Sequence, residues 1–248
     1  MNNLVDFHCH LDLYPDFQKV FASCEQEKIY TLAVTSTPRA WPKNRELTLN
    51  TRFVRAALGL HPQLIDTNVE EELLLWEKYF SETRFIGEVG IDGRPNFHST
   101  LTEQKRVFER ILNCCAEAGD KILSVHSTRS VNMVLNSIEN ILLGTKNTVV
   151  LHWFTGNEIE ARRALDLGCY FSINTEMLRT KRNRYLLTEL PIERILTETD
   201  GPFIKQGDKL LYPRDVVQSV KLLANLRGIS IDEISYKIFA NLKTLLTL

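Results

Sequence analysis

The sequence predicts one α/β domain over residues 1–248, a (β/α)8 TIM barrel with a C-terminal helix. Three observations carry that prediction. Short β-branched and aromatic runs alternate with longer helical segments along the whole chain. The chain has 248 residues, and roughly 250 is the usual size of a closed barrel of this kind. The first strand runs out into His8-Cys9-His10, where a doubly wound open sheet usually offers a glycine-rich turn. Periodicity alone leaves the open sheet as a competing architecture; the chemistry after the first strand favours the barrel.

The predicted strands, in order, are Leu4–His8, Tyr30–Thr35, Val54–Leu60, Phe85–Glu88, Ile122–His126, Thr148–His152, Tyr170–Ile173 and Arg194–Glu198. They are apolar on both faces, as parallel strands covered from both sides should be. Between them lie helical patterns at Leu73–Phe80, Thr102–Ala118, Val131–Leu142, Glu158–Leu167 and Asp215–Leu226. In Thr102–Ala118 one side collects Val107, Ile111, Leu112, Cys115 and Ala118, the stripe a core-facing helix needs. Ile231–Leu248 reads as a terminal helix packed over the end of the fold. No repeat, linker or charge run marks a second domain.

Composition narrows the function classes. Hydrophobic residues make up 44% and charged residues 25%, an ordinary globular balance. No run approaches the ~18 apolar residues of a membrane span, and Met1-Asn2-Asn3-Leu4-Val5-Asp6 has no secretory character. Five cysteines, none in Cys-x-x-Cys spacing, point to structural thiols in a reduced cytoplasm. A net charge of −1 removes any argument for nucleic acid from bulk charge. Such a role must rest on a local site.

That site is legible at the strand ends. His8 and His10 are two apart, so on an extended backbone both imidazoles point to one face, as two ligands of one metal would. Glu88 ends the fourth strand, His126 the fifth and His152 the sixth, and Asp200 follows the eighth. In a barrel these ends share one rim, where the active sites of this fold lie. Any one of these histidines alone reads more readily as a cap or core residue. Together, four histidines and two carboxylates exceed the shell of a single catalytic zinc, and two metals are the economical reading. His61, ending the third strand, is a substrate-contact candidate, whereas His98 reads as a solvated loop residue.

These segments resemble the TatD family of metal-dependent hydrolases, within the wider amidohydrolase-like barrels. The resemblance runs in order through Asp6-Phe7-His8-Cys9-His10-Leu11-Asp12, Gly59-Leu60-His61-Pro62, Gly87-Glu88-Val89-Gly90-Ile91-Asp92, Val125-His126-Ser127, His152-Trp153-Phe154-Thr155-Gly156 and Glu198-Thr199-Asp200-Gly201-Pro202-Phe203. It implies a binuclear site, with His8, His10 and Asp200 on one ion, His126 and His152 on the other, and Glu88 bridging. It also implies DNase activity, commonly 3′-to-5′ exonucleolytic on single strands. A narrower resemblance, through Phe7-His8-Cys9-His10-Leu11-Asp12-Leu13-Tyr14-Pro15-Asp16, Thr37-Pro38-Arg39-Ala40-Trp41 and His61-Pro62-Gln63-Leu64, is to the QatD-like subgroup of Qat anti-phage defence systems. That context implies protein partners from the same operon. Three departures from the family pattern, Gly93-Arg94-Pro95, Trp153 after the sixth-strand histidine and Asn241-Leu242-Lys243-Thr244-Leu245-Leu246, bear on substrate preference and remove no implied ligand.

Two close divalent ions can activate a bridging water and hold a phosphate oxygen, which suits phosphodiester hydrolysis. Asp200 is then the expected general base, with Glu88 as the second catalytic carboxylate. Imidazole-rich sites favour zinc or other transition ions, whereas magnesium prefers oxygen ligands, so Zn, Mn and Mg all stay open, with Zn or Mn expected at the tighter position. Arg94 and Arg129 are candidate phosphate clamps and Trp153 a candidate stacking platform. Arg179, Lys181, Arg182 and Arg184, after the seventh strand, suit either a DNA backbone or a solvated face. The alternatives to a DNase are a small-molecule amidohydrolase and a partner-gated subunit. A strand-four Glu in place of a carbamylated Lys favours the nuclease.

Overall fold

A computed structural model describes residues 3–66 and 69–247. The β/α alternation is present from end to end. The strands are β1 (Val5–Cys9), β2 (Tyr30–Val34), β3 (Val54–Ala57), β4 (Phe85–Gly90), β5 (Ile122–His126), β6 (Thr148–His152), β7 (Tyr170–Ile173) and β8 (Ile195–Thr197). Each is followed by a helix: α1 (Phe17–Glu27), α2 (Trp41–Thr48), α3 (Val69–Tyr79), α4 (Leu101–Ala118), α5 (Val131–Leu142), α6 (Glu158–Asp166), α7 (Lys181–Glu189) and α8 (Val217–Arg227). A short antiparallel hairpin, β9 (Lys205–Gln206) and β10 (Lys209–Leu210), interrupts the β8–α8 connection and was not foreseen. The terminal helix is α9 (Ile231–Thr247); Leu248, the last residue of the predicted helix, lies outside the described residues.

The chain forms two compact units. One comprises residues 3–33, 43–55 and 171–247, the other 34–42 and 56–170 within the described residues. In the first, β1 runs parallel to β2 with Val5 opposite Tyr30 and Cys9 opposite Ala33, and β7 runs parallel to β8 with Phe171 opposite Ile195. The Asp200 N–H donates to His8 O, and Thr197 Oγ1 to Val5 O, which sets β8 beside β1. The strand order is therefore β7-β8-β1-β2. Cys9, on the other side of the backbone from its histidine neighbours, packs with Leu11, Tyr14, Val20, Phe21 and Cys24 against α1. Burying a side chain such as Phe21 contributes about 1.5–3 kcal/mol. Glu25 of α1 accepts the backbone N–H groups of Arg52, Phe53 and Val54 and so holds the start of β3.

In the second unit β4 pairs with β5 and β5 with β6, all parallel, and Leu58 bridges to Ile86. β4, β5 and β6 are buried on both faces, apart from partial exposure of Phe85. Helices α4 and α5 supply the outer layer: Val107, Phe108, Ile111, Leu112 and Cys115 are buried on the first, Val134, Leu135 and Ile138 on the second. α6 starts from a capping box, Asn157 with Glu160, that satisfies two helix-end donors reciprocally.

Two sequence expectations shift for local physical reasons. The third strand stops at Ala57 rather than Leu60: beyond it Leu58 makes only an isolated bridge to Ile86, and the Gly59 N–H goes to the Thr35 hydroxyl instead of a backbone carbonyl. The last predicted barrel helix begins as a short 3-10 turn, Pro213–Val216, where Asp215 accepts the Tyr212 N–H, before α8 starts at Val217. The five cysteines are all free thiols, and among the described residues no helix is long and apolar enough to cross a membrane. Burial pushes the Cys24 thiol up to about 12 and Cys9 well above its ordinary value, so both are inert packing groups at neutral pH.

Candidate metal centre

The predicted ligands fall into two clusters, each inside one unit. In the first unit His8 lies within β1, His10 just beyond it, and Asp200 just beyond β8. His8 Nε2 and His10 Nε2 are 3.3 Å apart, and they lie 3.7 and 3.8 Å from Asp200 Oδ1. Ligand atoms around a tetrahedral ion with bonds of ~2.0–2.1 Å stand roughly 3.3–3.4 Å from one another. These three donors converge at nearly that spacing, and two imidazoles with a carboxylate are an ordinary zinc or manganese donor set. The residues fit a divalent ion.

The backbone explains the convergence. The pairing of β1 with β2 shifts register between Asp6 and Cys9, across His8, and such irregularities re-aim side chains beside sites. The His10 N–H donates to Gly201 O, tying the end of β1 to the residue after Asp200. Beneath the cluster, fully buried Asp6 accepts the Thr199 N–H at 2.9 Å and its hydroxyl at 2.6 Å. Burial outweighs those hydrogen bonds and pushes its carboxyl up to about 8. Glu198, also buried, is held by the Ser172 hydroxyl and, at 2.8 Å, by the Asn174 amide. The ring of half-exposed Phe203 stands edge-on to His10, centroids 4.9 Å apart.

In the second unit Glu88 is the hub. His126 Nδ1 lies 2.7 Å from Glu88 Oε1, His61 Nε2 3.2 Å and His152 Nε2 3.8 Å. His61, Glu88 and His126 form a group able to hold a metal ion. β4 also shifts register between Ile86 and Val89, across Glu88, and the Gly87–Glu88 peptide is cis. The Glu88 N–H donates to Thr35 O, and Leu60 N–H donates to Glu88 O, so the residue is fixed from both sides.

Asp92, which follows Gly90-Ile91 at the end of β4, joins this cluster although sequence reasoning did not place it in the site. Asp92 is fully buried and lies 2.9 Å from His126 Nε2. Gln63 Nε2 donates to it at 2.9 Å, and Arg94 grips it with Nε at 3.0 Å and Nη2 at 2.6 Å. Burial works against its charge, but the bonds with His126 and Arg94 win and hold its carboxyl far below the usual range. His126 moves the other way: burial lowers its basicity, but Asp92 and Glu88 outweigh that and raise it. In the sequence Gly-x-Asp reads as turn chemistry, and the histidine and arginine that give Asp92 its meaning meet it only in the folded chain.

The substrate candidates take different places. Arg94 has its Nε and Nη2 edge on Asp92 and remains half-exposed. Arg129 is exposed, with a left-handed φ of 53°. Trp153, also left-handed at 39°, meets the His152 ring edge-on with centroids 6.2 Å apart. His61 sits beside Glu88, and its Nδ1 accepts the Gln63 N–H at 3.1 Å. His98 is exposed, its Nε2 2.9 Å from Gly93 O. Arg179, Lys181, Arg182 and Arg184 are exposed at and before the start of α7.

Comparison with known proteins adds three findings. A family model described as TatD related DNase matches residues 5–247. Deoxyribonuclease TATDN3 of Homo sapiens is 28% identical over 270 residues, covering 98% of this chain and 97% of its own; the uncharacterized metal-dependent hydrolase YabD of Bacillus subtilis is 27% identical over 261 residues, covering 98% of each. Among solved structures, the TatD homolog YJJV from Escherichia coli K12 superposes with a TM-score of 0.88 at 22% identity, over 99% of this chain and 98% of its own. A TatD-family hydrolase from Entamoeba histolytica gives 0.79 at 19% identity, over 98% of both chains. These likenesses, with the β/α order, establish the TIM-barrel fold class.

Proposed function

The chain belongs to the TatD related DNase family, and on that footing we propose that it is a metal-dependent deoxyribonuclease, trimming single-stranded DNA from the 3′ end. The observation that carries this reading is the pair of histidine–carboxylate clusters at strand ends, one per unit. His8, His10 and Asp200 hold one divalent ion; Glu88, His126 and His152 hold a second. When bound, such ions supply an activated water and offset charge on the phosphodiester.

The chain's own residues do the rest. Asp200 accepts the proton of the attacking water at a carboxylate oxygen, as general base. Glu88 serves as ligand and second catalytic carboxylate. Arg129 and the half-exposed Arg94 bind backbone phosphates, Trp153 offers a ring for a base, and His61 contacts substrate beside Glu88. The human relative's name, a deoxyribonuclease, supports DNA as the substrate. The QatD-like segments support a place in anti-phage defence, with protein partners, and five free thiols suit a cytoplasmic setting. The reading takes residues 1–248 as one catalytic domain.

The test is the metal-loaded protein on 3′- and 5′-labelled single-stranded DNA, beside Glu88→Ala, with metal content measured on both. Stepwise loss from the 3′ end that the variant lacks is the expected result. Two bound ions with no cleavage of any DNA would overturn the DNase reading in favour of another substrate.

A further inference from the structure

His126 offers two ring nitrogens, and only one can serve a metal while the other carries a proton. The surroundings of Asp92 decide between them. Its carboxylate receives the Arg94 N–H, the Arg94 guanidinium and the Gln63 amide, all donors, at 2.6–3.0 Å. A carboxylate so supplied is ionised and only accepts. The nitrogen facing it, His126 Nε2 at 2.9 Å, must therefore bear a hydrogen. Nδ1 faces Glu88 Oε1 at 2.7 Å, a hydrogen bond on the side where a bound metal ion would take the place of the proton.

The neighbouring imidazole is set by the same chemistry. His61 Nδ1 accepts the Gln63 N–H, so in the neutral ring the hydrogen is on Nε2, the atom 3.2 Å from Glu88. One residue, Gln63, thus fixes both rings: its backbone orders His61 and its side chain secures Asp92. Asp92 is itself anchored from α4, where buried Gln104 accepts its backbone N–H at 2.7 Å and is held in turn by Phe97 O and the Thr100 hydroxyl.

We propose that Asp92, fastened by Arg94 and Gln63, is a positioning residue that commits His126 to the Nε2–H tautomer and so presents Nδ1 to the metal ion. The proposal rests on the metal-dependent reading above and deepens it. Partners of this kind commonly alter metal affinity by about 10–100-fold. An amide at position 92 gives up the charge, and its NH2 must face the donors of Arg94 and Gln63 or His126 Nε2 itself, so the hold on the Nε2 hydrogen weakens.

The experiment measures two things on wild type and Asp92→Asn: zinc affinity of each site by titration calorimetry, and the protonated ring nitrogen of metal-free His126 by nitrogen-15 NMR. Expected are one zinc site weakened by about 10–100-fold, the other unchanged, and a hydrogen that leaves Nε2 in the variant. Unchanged affinities together with an unchanged tautomer would overturn the proposal. If Asp92→Asn fails to fold, Gln63→Ala and Arg94→Leu remove the fasteners instead; each should weaken the same site, and wild-type affinity in both would overturn it. A wild type that takes up no metal would sink the proposed function, while the NMR of metal-free His126 still decides the tautomer.

Discussion

In the first unit the side-chain donor atoms of His8, His10 and Asp200 stand 3.3–3.8 Å apart; in the second, His126 has closed to 2.7 Å on Glu88. The first spacing is that of a coordination shell, set by the β1 register shift and by hydrogen bonds from Asp200 and His10 to the neighbouring backbone. The second is that of a hydrogen-bonded pair, which must open to admit an ion. The difference teaches that a metal site can be held ready by backbone alone, or held closed by its own side chains and oriented from behind.

The largest effect distinguishing the clusters should come from Asp200→Asn. Turnover falls by about 10²–10⁴-fold, the worth of a general base, while some metal stays bound. Near-normal turnover in single-turnover kinetics would remove Asp200 from that role. Next comes packing behind each cluster. A methyl on Gly59 would stand 1.7 Å from Thr35 O and 2.6 Å from Glu88 N, all backbone, so Gly59→Ala should cost about 3 kcal/mol or more. On the other side, Gly201→Ala meets first the Tyr14 hydroxyl at 1.9 Å, then Leu211 O at 2.6 Å. Tyr14→Phe should therefore recover part of the loss at Gly201 and none at Gly59, a difference that urea titration of the double variants would read.

Metal loading separates the clusters more gently. The first ion should enter at His8, His10 and Asp200, so His8→Ala should erase the tighter phase of a zinc titration and His126→Ala the weaker. The reverse order would mean that spacing does not set affinity here. Smallest of all is Ser127→Ala. The Ser127 hydroxyl is buried beside His126 without a hydrogen-bond partner, so its removal should leave stability unchanged or raise it by about 1 kcal/mol. A clear loss in thermal unfolding would indicate a partner the hydroxyl serves.

Much of this was legible in the chain. His8-Cys9-His10 at a strand end announced two imidazoles on one face and one core residue on the other, and the structure brings the two rings together and sets Cys9 against α1. Glu88, His126 and His152 were visible because strands buried on both faces leave little reason for titratable groups at their ends. Asp92 was not, because its meaning lies in Gln63, Arg94 and His126, which only the folded chain assembles. The register shifts across His8 and Glu88 were equally hidden, since a bulge leaves no compositional mark. The hairpin at Lys205–Leu210 escaped for the opposite reason: two residues a side carry too short a pattern to detect.

That hairpin also bears on how such a molecule changes over evolutionary time. It leaves the chain after Asp200 is already fixed to His8 O and returns before Tyr212 begins the next turn, and residues 205–209 are all exposed. Insertions, deletions or charge changes in those exposed residues should leave the spacing of His8, His10 and Asp200 untouched. On the proposed function, substrate range can therefore drift by loop exchange while the histidine–carboxylate cluster stays constant.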